Sequence, residues 1–230
     1  MKIAMSGTYS TGKTTTTLAL ANVTGVARTH AKTMREILPL ALPNKKLEDC
    51  TAPELFQLGI RRFTERAVHE SHLDSFISDG SSLHEWIYGT VRMTVGINPN
   101  DTNQKNISDE GLLMMKEVIY HLGCVVKDHA KETYDSFIHL PVEFPIQEDG
   151  HRPVSEDFRN QSDKLLLQTL DELGITYHVV GGTIEERLKK IIGIYHLPMM
   201  MPIAEAIEKA QEEVKDYQIQ IEDTFYKEDE

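Results

Sequence analysis

The sequence predicts an α/β protein of three layers, a parallel sheet of about five strands with helices on both faces. Two observations carry that prediction. A short apolar run at residues 2–6 leads into a glycine-rich loop and at once into a helical run, and strand-like and helical segments then alternate as far as residue 192. Strands joined through helices run parallel, because each crossover returns the chain to the same end of the sheet.

The loop carries the chemistry. Gly7, Thr8, Tyr9, Ser10, Thr11, Gly12, Lys13 and Thr14 fit GxxxxGK[ST], the phosphate-binding loop. Gly7 and Gly12 give backbone freedom where a side chain would block a phosphate, so successive N–H groups can form an anion nest. Lys13 is placed to reach the β and γ phosphates and Thr14 to offer its hydroxyl to Mg²⁺. The helix that starts here, with Thr15 in its first turn, turns its positive end toward the same phosphates.

The remaining elements follow in order. Residues 25–29 read as a second strand and 32–38 as a helix that Pro39 and Pro43 end. A long helix starts near Pro53, with Leu55, Leu58, Phe63, Ala67 and Val68 at helical spacing and Gln57, Arg61, Arg62 and Arg66 on its polar faces. Residues 75–78 read as a strand that ends at Asp79. Helices follow through Trp86 and from Asp109 toward Tyr134, separated by a polar, turn-rich loop at 96–108. Then come a strand at 135–141, a charged lid at 143–160 broken by Pro145, Gly150 and Pro153, a helix at 165–173, a strand at 175–180 and a helix at 185–192. The phosphate-loop domain thus covers 1–195, with helical acceptor-side regions at about 50–74 and 83–133, and 196–230 form an appended helix with an acidic tail.

Composition narrows the function. A net charge of −12, from 24 Lys and Arg against 36 Asp and Glu, argues against a broad nucleic-acid footprint. Cys50 and Cys124 lie far apart without metal spacing, which suits a reduced, cytoplasmic protein. No signal peptide or membrane-length apolar run is legible.

Small-molecule kinases fit this pattern better than other phosphate-loop proteins. The guanine motif NKxD of GTPases is missing, which favours ATP; a transporter signature is missing too, and the chain is short for an oligomeric machine. Asp79, at a strand end beside the loop, is placed to order Mg²⁺ or to take a proton from an attacking hydroxyl. Arg152 and Arg159 flank the start of the lid helix, where cations can stabilise a migrating phosphoryl group.

With those residues in view, the chain resembles phosphate-loop proteins similar to ribosylnicotinamide kinase, often described as AAA-type ATP-binding proteins. The resemblance rests on residues 7–14, on Asp79-Gly80-Ser81, on 134–141 with 149–153, on Glu156-Asp157-Phe158-Arg159 and on 177–187. It implies a nucleoside-monophosphate-kinase-like fold, Arg152 and Arg159 in the lid, and Gly181, Gly182 and Thr183 near the adenine. Many relatives carry Arg after the strand-end Asp, where this chain has Gly80.

On the acceptor side, Arg35, Glu36, Gln57, Arg61 and Arg62 are candidate contacts, and Trp86 and Tyr88 could stack on a base. His84 and Glu85 resemble half of a zinc-protease motif, but the second His is missing. The expected activity is ATP- and Mg²⁺-dependent phosphorylation of a hydroxyl on a small nucleoside-like or nucleotide-like acceptor. Two alternatives stand beside it: a kinase of a hydroxymethylated base in DNA, and an ATP-binding switch or regulatory ATPase. A homodimer is left open.

Overall fold

A computed structural model describes residues 1–96, 108–146 and 155–226. Its strands are β1 (Lys2–Ser6), β2 (Arg28–His30), β3 (Phe76–Asp79), β4 (Ser136–His139) and β5 (Tyr177–Val179). They form one parallel sheet in the order β2-β3-β1-β4-β5. The helices are α1 (Lys13–Thr24), α2 (Met34–Ala41), α3 (Ala52–Ser71), α4 (Leu83–Val95), α5 (Asp109–Thr133), α6 (Glu156–Leu173), α7 (Ile184–Tyr195) and α8 (Ile203–Tyr226). The predicted three-layer α/β architecture with five parallel strands is thus present.

Strand alternation makes two cores. Ile3, Met5, Ile77 and Ile138 face one layer, where they meet Leu20 of α1, Leu188 of α7 and Ala206 and Ala210 of α8. Ala4, Phe76 and Phe137 face the other, against Trp86 of α4, Ile119 of α5 and Leu166 of α6. Phe76 and Phe137 are fully buried, and each contributes on the order of 1.5–3 kcal/mol through removal of apolar surface from water. A smaller cluster of Ile37, Leu38, Leu55 and Leu58 joins α2 to α3.

The register positions the site. Met5 stands beside Asp79, and Ser6 beside His139, so β1, β3 and β4 end at one edge of the sheet. That edge, at the carboxyl ends of parallel strands where the order reverses, is where such folds bind ligands. The loop at 7–12 rises from it into α1.

Local chemistry explains where the element boundaries depart from expectation. Gly25 adopts φ 72° and caps α1 through its N–H on the Ala21 carbonyl, which delays β2 to Arg28. Pro39 lies inside α2 rather than ending it: the helix reaches Ala41, and the Leu42 N–H still meets the Leu38 carbonyl at 2.8 Å. The lid helix expected to start between Arg152 and Arg159 and the helix expected at 165–173 are one helix, α6, which starts at Glu156 because the Ser155 hydroxyl caps it by accepting from the Phe158 N–H. The predicted loop at 96–108 and the middle of the lid fall largely at 97–107 and 147–154, and the acidic tail at 227–230, outside the described residues. Among those described, no helix is long and apolar enough to cross a membrane.

Candidate nucleotide and acceptor site

The phosphate loop is held in shape from several directions. Gly7 has φ 132°, and a Cβ there would stand 2.6 Å from the carbonyl oxygen of Leu140, so no other residue fits. Gly12 has φ 81° and forms the left-handed entry to α1. The Thr11 hydroxyl donates to the Thr8 carbonyl at 3.0 Å, and Lys13 Nζ donates to the same oxygen at 2.5 Å. From α4, His84 Nδ1 accepts the Ser81 N–H at 3.0 Å, which leaves Nε2 as the protonated nitrogen, 3.1 Å from the Gly7 carbonyl. Burial, with the nearby charges of Lys13 and Arg66, lowers the pKa of His84 to about 3, so the ring is neutral.

Asp79 faces this loop from the end of β3. Arg28 Nη2 meets its Oδ2 at 2.6 Å, and the Thr14 hydroxyl hydrogen-bonds to it. Burial pushes the Asp79 carboxyl up, but the charges of Arg28 and Lys13 and the bonds from Arg28 and Thr14 outweigh that effect and hold it below the usual carboxylate range. Asp79 is therefore an ionised oxygen donor beside a hydroxyl.

Behind Asp79 runs a buried polar network. Arg66 Nη2 donates to the Asp79 carbonyl at 3.0 Å and Nη1 to the Ser78 hydroxyl at 2.6 Å. Glu70 accepts from Ser78, Thr29 and Tyr134. Gly80, with φ 96°, leaves room for Arg66, whose Nη2 would stand 3.0 Å from any Cβ there. The glycine after the strand-end Asp therefore accompanies a guanidinium brought in by α3.

Next to the loop lies a mostly apolar cleft lined by Met34, Phe56, Glu85, Tyr88, Arg92 and Met115, among others. Glu85 is buried and accepts Arg62 Nε at 2.7 Å. Arg62 also donates to the Lys32 carbonyl. Tyr9, at the tip of the phosphate loop, stacks on Tyr88 with ring centroids 4.8 Å apart, and both rings adjoin Phe158 of α6. The loop and the cleft thus share an aromatic wall.

This arrangement of loop, strand-end carboxylate and helical layers can be set beside known proteins. A model of the AAA domain matches residues 2–187. The chain belongs to the AAA-domain family. No curated protein sequence matches it. Among solved structures, deoxyadenosine kinase from M. mycoides with dATP bound is similar at a TM-score of 0.59 and 18% identity, covering 85% of this chain and 99% of that one. The same kinase with dCMP and a flexible dCDP gives 0.55 and 16%, covering 85% and 98%. At that identity the likeness concerns the fold, which this AAA domain shares with a nucleoside kinase.

Within the AAA domain the structure brings Lys13, Thr14 and Asp79 together. Arg159 is on α6 and fully buried, with Nη2 on the Phe144 carbonyl at 2.5 Å and Nη1 3.5 Å from Glu156; Arg152 lies outside the described residues. Gly182 donates its N–H to Glu143, and Thr183 caps α7. Glu36 closes the capping box of α2, and of its neighbour Arg35 only the backbone is described. Gln57 and Arg61 pair with each other on the exposed face of α3, away from the residues that line the cleft. Trp86 also departs from expectation: it packs in the core under α5, where a Cβ at Gly123 would stand 2.5 Å from Nε1, and Tyr88 alone of the two aromatics lines the cleft.

Arg28, Glu85 and Arg187 were not anticipated as site residues. Arg187 carried a legible signal, because it interrupts the apolar stripe of Ile184, Leu188 and Ile191 with a charge. Arg28 sits in a three-residue strand too short to show any pattern. Among the described residues no group of three or more His, Cys, Asp or Glu side chains could hold a metal. The Thr14 hydroxyl and ionised Asp79 nonetheless supply the hard oxygen ligands that Mg²⁺ prefers while keeping some of its own water.

Proposed function

We propose that this AAA domain is an ATP-dependent phosphotransferase that moves the terminal phosphoryl group to a hydroxyl of a small nucleoside-like acceptor. One observation carries the reading: a phosphate loop, with Thr14 tied to an ionised Asp79, shares its Tyr9 wall with an apolar cleft lined by Arg92 and by the buried Glu85, which Arg62 meets at 2.7 Å. A pocket of aromatic and apolar side chains with a carboxylate and a guanidinium in its lining suits a flat heterocycle whose polar edge must be read. Similarity to the fold of a deoxyadenosine kinase supports the same class.

In this reading Lys13, the loop N–H groups and the start of α1 hold the donor phosphates. Thr14 and Asp79 would hold Mg²⁺, which when bound neutralises phosphate charge. Tyr9, Tyr88 and Glu85 orient the acceptor so that its hydroxyl oxygen forms a bond to the γ phosphorus as the bond to the β-phosphate oxygen breaks and ADP departs. The depressed pKa of Asp79 suits charge stabilisation better than early proton abstraction, in keeping with a loose transition state in which the hydroxyl proton leaves late. Arg159, and Arg152 from the lid, complete the cationic surround.

The test is transfer of labelled γ phosphate from ATP to a panel of ribonucleosides, deoxynucleosides, nucleotides and short oligonucleotides containing a hydroxymethylated base. A labelled nucleoside monophosphate, lost in Lys13→Ala, is the expected result. Labelling of the oligonucleotide alone would replace this acceptor with a base in DNA. ATP binding without labelling of any acceptor would replace the kinase with a nucleotide switch.

A further inference from the structure

Arg187 is a cation in a hydrophobic layer. It sits on the stripe of α7 that packs against the sheet, its side chain is 1% exposed, and burying a guanidinium is costly unless its donors are met. Nη1 donates to the Thr11 carbonyl at 2.7 Å and Nη2 to Glu143 at 3.0 Å, while the Phe144 ring lies 5.6 Å away. Nε is buried without a hydrogen-bond partner, so the guanidinium stands where an apolar side chain would pack at lower cost. A Cβ at Gly12 would stand 3.2 Å from Nη1. The cation therefore touches the phosphate loop at the Thr11–Gly12 peptide.

The geometry of that peptide gives the contact a consequence. In a trans peptide the carbonyl and the following N–H point to opposite sides, and the described chain has no cis bonds. A carbonyl anchored on Arg187 forces the Gly12 N–H the other way. We propose that Arg187 is a positioning residue of the donor site: by holding the Thr11 carbonyl it turns the Gly12 N–H into the phosphate nest. Glu143, itself held by the Gly182 N–H at 2.9 Å, keeps the guanidinium aimed. The stem of the lid and the turn before α7 are thereby tied to the orientation of one phosphate-binding amide.

The inference rests on the nucleotide-binding half of the proposed function and needs no acceptor. It is tested on the full chain by affinity for a fluorescent ATP analogue, with competition by ATP and by adenosine. Arg187→Gln should weaken ATP about tenfold or more while adenosine changes less than about twofold, since only the phosphates meet the misdirected amide. Arg187→Lys should recover part of the loss, and Glu143→Gln should weaken ATP with no added effect in the Arg187→Gln background. Unchanged ATP affinity in a folded Arg187→Gln protein, or equal losses for ATP and adenosine, would overturn the role. If Arg187→Gln does not fold, the same split between ATP and adenosine is read in Arg187→Lys. Wild-type protein that binds ATP but transfers no phosphoryl group would remove the kinase reading and leave Arg187 judged on these affinities.

Discussion

Tyr217 of the last helix donates its phenolic hydroxyl to Oε2 of Glu36, a residue 181 positions earlier in the chain. The same carboxylate oxygen accepts the Thr33 N–H that begins α2. The appended helix therefore helps to fix α2, whose Met34 lines the cleft proposed to take the acceptor.

Removing that hydroxyl should have a measurable cost. Tyr217→Phe is expected to lower stability by about 1 kcal/mol, the usual net worth of a partly exposed hydrogen bond, seen as a lower urea midpoint with an unchanged slope. An unchanged midpoint would mean that the packing of α8 on α1 and α7 holds it without this bond.

His84 should make the protein acid-sensitive. Its folded pKa of about 3 lies below the ordinary 6.5, so the neutral ring stabilises the fold fully above about pH 6.5, and this is lost as the unfolded chain takes up a proton at lower pH. The loss approaches roughly 1.4 kcal/mol per pH unit on the way down to about pH 3. His30 and His129, both lowered chiefly by burial, act in the same direction. Melting temperatures between pH 7 and pH 4 check this, and His84→Gln should flatten the decline; an equal slope in the variant would count against a buried neutral ring.

Gly80 should not tolerate a side chain. With φ 96° and Arg66 Nη2 3.0 Å from the Cβ position, Gly80→Ala is expected to cost about 1–3 kcal/mol. Because Arg66 also holds the Asp79 carbonyl, weaker turnover should accompany the loss. Denaturation together with phosphoryl transfer measures both, and wild-type behaviour in each would show that the β3 end adapts.

Glu85→Gln separates acceptor from donor. It keeps the volume of the side chain but removes the charge that Arg62 meets at 2.7 Å. The KM for the acceptor should rise about tenfold or more, with the KM for ATP within about twofold of wild type. A rise for ATP alone would move Glu85 to the donor side.

Much of this architecture was legible because local rules and global packing agree. Alternating apolar residues in β1 face two cores, and the GxxxxGK[ST] spacing sits between a strand and a helix, where it can act. The acceptor side was harder to read because helical periodicity identifies a polar face without saying what stands opposite. Gln57 and Arg61 share a face that is solvated, whereas Arg62, one residue on, points to Glu85 across 23 positions of sequence. Trp86 and Tyr88, two residues apart on α4, divide between core and cleft for the same reason. Arg66 and Glu70 look like an ordinary i, i+4 surface pair, and only the sheet beneath them turns that pair into the buried support of Asp79.

The sheet order has a consequence for synthesis. β1 precedes every other strand of the sheet in the chain but lies in its middle, between β3 and β4, and the Gly7 turn packs against the carbonyl of Leu140. A growing chain carries the phosphate loop unseated until β4 and Leu140 have been made. Arg187 then reaches Thr11 from an element made later still. The phosphate loop is thus synthesised well before the elements that give it its shape, and ATP would be captured only once α7 has been made.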